Sequence, residues 1–134
     1  MASQDKLPQQ KAYFIFLCFF SGLFAFGQGT RLLRQPDISA AHITYTYGSD
    51  IWISELNSQE AKRITSTAAS ESNPYFSPDG NWIAFSSNRA GTNNVYIVSK
   101  DGGEPKRLTW HPSGSEVRGW TNDGKHVLFA SGRD

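Results

Sequence analysis

From residue 28 onward the apolar residues come in short runs of aromatic and β-branched side chains, with no window at convincing helical spacing. Trp82-Ile83-Ala84-Phe85-Ser86 and Val95-Tyr96-Ile97-Val98 are two such runs, and Asp-Gly, Gly-Gly and Asn clusters bound them. That combination predicts short strands joined by hairpin turns, and so an all-β chain.

The strands repeat. Lys62-Arg63-Ile64-Thr65 returns as Lys106-Arg107-Leu108-Thr109, Ser77-Pro78-Asp79-Gly80 as Thr121-Asn122-Asp123-Gly124, and Ile51-Trp52-Ile53 as Val95-Tyr96-Ile97, each 44 positions later. In the middle copy Pro74-Tyr75-Phe76 leads into the turn at Ser77 to Gly80, and the alternating run from Trp82 to Ser86 follows. A loop from Asn88 to Asn93 then leads to Val95-Tyr96-Ile97-Val98. After Asp101-Gly102-Gly103 a last short strand runs through Arg107-Leu108-Thr109. The first copy is shorter, since Ile43-Thr44-Tyr45 reaches Asp50-Ile51-Trp52 through Tyr47-Gly48-Ser49, and the extra residues of the second are expected in a loop.

Four strands in about 40–45 residues is the length of a β-propeller blade. A linear β-array or sandwich is the alternative, but sandwiches rarely keep one register. The units fall at 33–65, 73–109 and 116–134, inside a propeller region of 28–134. That is about two and a half blades, where closing a ring takes about 4–8. Blades bury their faces against neighbours. The expectation is therefore an incomplete propeller belonging to a longer protein.

Residues 1–27 follow another pattern. Lys6 and Lys11 precede an uncharged run from Ala12 to Phe26, and Ala25 and Gly27 flank Phe26. A basic start, an apolar stretch of roughly 7–15 residues and small residues at the −3 and −1 positions describe a secretory signal peptide cut after Gly27. A membrane anchor is the competing interpretation, but spanning a bilayer takes about 20 apolar residues. Cys18 lies within the apolar run, so the mature chain would hold no cysteine, which suits a bacterial periplasm or cell surface. Removing Lys6, Lys11 and Asp5 takes 13 basic and 12 acidic residues to 11 of each. A mature chain of zero net charge without a basic cluster argues against nucleic acid as a partner.

Candidate chemistry is sparse. His42, His111 and His126 have no HExxH, paired cysteine or carboxylate at ligand spacing beside them and read as structural or solvated. Ser113-Gly114-Ser115 lacks the strand-to-helix frame of a nucleophile elbow and reads as a polar connection. Asp79-Gly80 and Asp123-Gly124 are explained as hairpin turns, since a calcium loop needs several oxygen ligands at alternating positions. Trp52, Trp82, Trp110 and Trp120 read as packing between blades. Any binding surface is expected in the loops around Ser87-Asn88-Arg89 and Trp110-His111, because propeller loops gather at the channel rims. No catalytic, cofactor-binding or metal-binding residue is assigned.

Phe76-Ser77-Pro78-Asp79-Gly80-Asn81-Trp82-Ile83-Ala84-Phe85, then Val95-Tyr96-Ile97, then Gly103-Glu104-Pro105-Lys106-Arg107-Leu108-Thr109 resembles the TolB-type propeller repeat. Such blades occur in TolB proteins, prolyl-oligopeptidase-type peptidases and tricorn-type proteases. Arg34-Gln35-Pro36-Asp37-Ile38-Ser39 is similar to the opening of tricorn protease homologues. Leu108-Thr109-Trp110-His111-Pro112 and Gly119-Trp120-Thr121-Asn122-Asp123-Gly124 resemble their second-to-third blade junction. Asn122 stands where most relatives have proline, a change a β-turn accepts. The resemblance covers 29–134. It implies an exported parent with two propellers, a PDZ-like domain and a C-terminal serine peptidase domain whose nucleophile and partners lie beyond residue 134. The propeller would gate or bind peptide or protein substrates and pack against the rest of its own chain, with a homo-oligomeric parent left open. A non-enzymatic TolB-type binding protein and a prolyl-oligopeptidase-type peptidase remain the alternatives.

Overall fold

The computed structural model describes residues 33–133, so the proposed signal peptide at 1–27, Cys18 included, lies outside the described residues. Every element in the described part is a strand. β1 (Arg34–Ile38), β2 (His42–Tyr47), β3 (Asp50–Glu55) and β4 (Ala61–Arg63) form one antiparallel sheet in chain order. β5 (Glu71–Phe76), β6 (Trp82–Ala90), β7 (Thr92–Ser99) and β8 (Lys106–Arg107) form a second, and β9 (Ser115–Trp120) pairs with β10 (Val127–Ser131) in a third. Two four-stranded meanders and a two-stranded one are the blades of a partial β-propeller.

The period-two alternation explains the packing. On β6 and β7, Ile83, Phe85, Tyr96 and Val98 face the first blade and join Ile51, Ile53, Ile64 and Phe76 in one buried cluster. The intervening Ala84 and Val95 face the third blade and pack with Val117, Trp120 and Val127. The middle blade is thus apolar on both faces, because each face meets a neighbouring sheet. Ile38, Leu128 and Phe129, on β1 and β10, remain exposed.

One connection and one strand start differ from expectation. The residues 88–93 are not a loop: β6 runs to Ala90 and β7 starts at Thr92, with only Gly91 between them. The extra length becomes hairpin because the register shifts between Ser87 and Ala90, while Gly91 turns at φ 98° with its N–H on the Asn88 carbonyl at 2.9 Å. In the first blade Gly48 and Ser49, both at positive φ, make a two-residue turn between Tyr47 and Asp50, as a twisted hairpin requires. The strand expected from Pro74 begins at Glu71, ahead of a bulge between Ser72 and Tyr75. Asn73 sits there at positive φ, as Gln35 does in β1. The Gln35 side chain joins these bulges by accepting the Asn73 N–H at 2.9 Å.

Antiparallel meanders place their connections at two ends. The β1–β2, β5–β6 and β9–β10 turns lie at one, and the β2–β3 and β6–β7 hairpins with the β4–β5 and β8–β9 crossings between blades lie at the other.

Candidate functional site

The crossings between blades carry the densest polar chemistry. At the first junction Thr65, just past β4, accepts the Ile51 N–H at 2.9 Å and donates its hydroxyl to the carboxylate of Glu71. Glu71 opens β5 and is 1% exposed. Its carboxylate also accepts from the Thr67 hydroxyl at 3.3 Å and from the guanidinium of Arg89. Arg89 lies over the rings of Tyr96 at 4.8 Å and Phe85 at 5.5 Å, and its Nε donates to Ser87 Oγ at 3.2 Å. A second pair, Asp50 with Arg63 at 2.5 Å, closes the same junction. A buried carboxylate is tolerable only with this many donors around it.

The second junction repeats the frame 44 residues on. Thr109 accepts the Val95 N–H at 3.0 Å, as Thr65 accepts that of Ile51. His111 Nδ1 accepts the Ser113 N–H at 3.3 Å, where Thr67 Oγ1 accepts that of Ala69 at 3.2 Å. Arg133 lies over Phe129 at 5.5 Å with its Nε 3.4 Å from Ser131 Oγ, the posture of Arg89. Both acids are gone. Asn94 replaces Asp50, so Thr109 donates to its amide oxygen at 3.2 Å and Arg107 lies over Trp110 at 5.8 Å. Ser115 replaces Glu71; it is 2% exposed and its hydroxyl has no partner among the described residues.

Each junction holds a cavity at the same register. Gly48, Ser49, Ser70, Glu71 and Ser72 line one of about 370 Å³. Their counterparts Thr92, Asn93, Gly114, Ser115 and Glu116 line one of about 490 Å³, with Ala130, Ser131 and Gly132 on its far side.

Of the expected binding loops, Ser87-Asn88-Arg89 is structural. Ser87 is buried, Asn88 Oδ1 accepts the Ser70 N–H at 2.8 Å, and Arg89 is engaged with Glu71. Trp110 is 68% exposed beside His111, at the end that holds the larger cavity. The histidines do not assemble: His42 opens β2 and His126 closes the β9–β10 turn, while His111 stands at the opposite end. Among the described residues no group of three or more His, Cys, Asp or Glu could hold a metal ion.

The tryptophans divide. Trp120 does bridge blades, donating to the Tyr75 carbonyl at 2.9 Å, and Trp52 packs edge-on to Tyr47 within its own blade. Trp82 and Trp110 are exposed instead, so the packing between blades expected of all four is met by Trp120, while Trp52 packs within its blade. The two Asp-Gly turns are superimposable in their bonding. Asp79 accepts from Ser77 Oγ at 2.5 Å and the Asn81 N–H at 3.1 Å, and Asp123 from Thr121 Oγ1 at 2.6 Å and the Lys125 N–H at 3.1 Å. Those hydroxyls, then the backbone donors, hold both carboxyls below the ordinary aspartate range.

The junction pair is the part that sequence reasoning missed. Thr65, Phe85 and Arg89 recur at the 44-residue offset while Asp50 and Glu71 do not, and that contrast was the available signal.

Residues 30–134 match the family model of the tricorn protease N-terminal beta propeller domain. The chain is 35% identical over 100 residues to a tricorn protease homolog of Streptomyces coelicolor, covering 74% of this chain and 9% of that one. Among solved structures it resembles a putative TolB from Agrobacterium tumefaciens, with TM-score 0.68, 27% identity and coverage of 74% and 38%. It also resembles the crystal structure of the tricorn protease, with TM-score 0.62, 30% identity and coverage of 69% and 10%. The chain spans about a tenth of the length of the curated relatives it matches.

Proposed function

The chain belongs to the tricorn protease N-terminal β-propeller family, and from that we propose that it is the propeller segment of an exported tricorn-like serine peptidase. In this reading the propeller admits or sorts peptides and proteins for a catalytic domain elsewhere in a longer protein. Its remaining contacts are with the rest of that chain, and the assembly is open to homo-oligomers. The observation that carries the reading is the family match across the whole described region. Export, to a periplasm or the outside, rests on the layout of residues 1–27.

Likeness to a TolB structure favours a second reading, a non-enzymatic protein-binding propeller. It is the weaker one, because the family model that matches residues 30–134 is that of the tricorn propeller. The coding sequence after the codon for Asp134 discriminates. The peptidase reading requires a second propeller, a PDZ-like domain and a serine peptidase domain; a stop after the remaining blades would reject it, and a GxSxG elbow in an α/β-hydrolase domain would point to the prolyl-oligopeptidase type. N-terminal sequencing of protein recovered from the exported fraction is expected to begin at Gln28.

A further inference from the structure

Asp79-Gly80, Asp101-Gly102 and Asp123-Gly124 close turns of the same form. The N–H of Gly80 bonds the Ser77 carbonyl at 2.8 Å, that of Gly102 the Ser99 carbonyl at 2.9 Å, and that of Gly124 the Thr121 carbonyl at 2.9 Å. Each turn begins with a hydroxyl residue, but the hydroxyls are used differently. Ser77 and Thr121 donate to the carboxylates of Asp79 and Asp123, which also accept the N–H of Asn81 and of Lys125. Ser99 Oγ instead accepts the Asp101 N–H at 3.2 Å. The Asp101 side chain is left 80% exposed, paired only with the adjacent Lys100 at 3.0 Å among the described residues.

The surroundings differ likewise. A Cβ at Gly80 would meet Ser39 of the first blade at 3.4 Å, and one at Gly124 would meet Pro78 of the second at 3.5 Å, so both turns lie against a preceding blade. A Cβ at Gly102 would meet only the far end of Lys62, at 3.9 Å, and one at Gly103 nothing within 4 Å.

We propose that Asp101 is the aspartate of this chain that isomerises, through a succinimide formed with the Gly102 nitrogen. That nitrogen attacks Asp101 Cγ: an N–Cγ bond forms, and a carboxyl oxygen leaves as water, carrying the nitrogen's proton and the proton of the acid. Water then adds to one of the two ring carbonyls. Opening at Cγ breaks the new bond and restores aspartate. Opening at the main-chain carbonyl breaks the original peptide bond and leaves isoaspartate, with the chain running through the former side chain. The isoaspartate carboxylate stands on the carbon whose oxygen accepts from Lys62 Nζ at 2.5 Å, so isomerisation turns that contact between the first two blades into an ion pair. Asp79 and Asp123 are held back because their carboxyls cannot reach the glycine nitrogen without giving up their turn bonds. The same bonds keep both carboxyls below the ordinary aspartate range, whereas ring closure needs the protonated acid.

The test is prolonged incubation of the full folded chain at neutral pH in heavy-oxygen water, then digestion in ordinary water and mass spectrometry of the three Asp-Gly peptides. Each ring opening inserts one heavy oxygen. Asp101 is expected to label about tenfold faster than Asp79 or Asp123, the ratio worth one hydrogen bond to a charged group. In denaturant all three should label alike. Resistance to a protease that cuts before aspartate identifies the isoaspartate product. Thr121→Val should bring Asp123 towards the rate of Asp101 while Asp79, still slow, reports that the fold is kept. Equal labelling of the three sites in the folded chain, a site faster than Asp101, or the same preference for Asp101 in denaturant would overturn the proposal. So would a folded Asp101 that stays unlabelled while the denatured chain reacts, labelling without isoaspartate, or an Asp123 still slow in Thr121→Val.

Discussion

A single register position has opposite significance in successive blades. Glu71 and Ser115 both open the first strand of a blade, yet Glu71 is the acceptor for three side chains and Ser115 for none among the described residues. Glu71→Ala would leave Arg89 and Thr65 facing an empty space, and breaking a buried pair on one side costs about 3–5 kcal/mol. Ser115→Ala removes an unpaired hydroxyl and should leave stability within about 1 kcal/mol of the wild type. Denaturant midpoints of the two variants should therefore separate clearly; equal losses would show that the junction does not depend on the carboxylate. The exposed turns carry a pH signature. Because Ser77 Oγ and Thr121 Oγ1 bond the ionised carboxyls of Asp79 and Asp123, folding favours the charged form. Their contribution is present above the 3.8 of an unperturbed aspartate and fades as pH falls through the lower folded-state values. Carbon-13 titration of the two side chains should give midpoints below 3.8, and midpoints at or above it would contradict the turn geometry.

At the level of elements, alternation along β6 and β7 decides which faces are worth most. Phe85, on β6, is fully buried between the first two blades, while Phe129, its counterpart on β10, is 40% exposed. Phe85→Ala should cost about 3–5 kcal/mol through lost burial and the cavity left behind. Phe129→Ala should cost under about 1.5 kcal/mol, since little of its area is removed from water. Thermal melts of the pair measure the contrast, and similar losses would mean that the two blades are packed alike. Much of this organisation was legible in the chain: the 44-residue offset aligns β5 with β9 and β7 with β3 residue by residue. Hairpin length was not legible, because Asn88, Gly91 and Asn93 resemble loop residues until the bulge at Ser87 folds them into strand. The Glu71–Arg89 pair was hidden for another reason. Its members lie 18 residues apart on adjacent strands, and only the pairing of Glu71 with Ser87 brings them together.

For the molecule as a whole, the arrangement of hydroxyls and imidazole rings sets what the described residues offer a reaction. A serine enzyme needs a hydroxyl within about 2.6–3.2 Å of a base, and donors for the oxyanion. Among the described residues the one hydrogen bond to a histidine ring is the Ser113 backbone N–H on His111 Nδ1, and no serine or threonine hydroxyl reaches an imidazole. Ser115, the best-buried serine near His111, has an unpartnered hydroxyl and therefore no base activating it. His42 and His126 stand at the opposite end, where their backbone groups bond to Ser39 and Thr121 within turns. Among the described residues, the cavities at the blade junctions thus bring no hydroxyl onto an imidazole. Purified mature chain, residues 28–134, should release no fluorophore from a library of unstructured fluorogenic peptides. The variant carrying His42→Ala, His111→Ala and His126→Ala should behave identically. Turnover by the wild type that vanishes in this variant would place an active site inside the blades, and the division of labour between propeller and distant catalytic domain would then have to be abandoned.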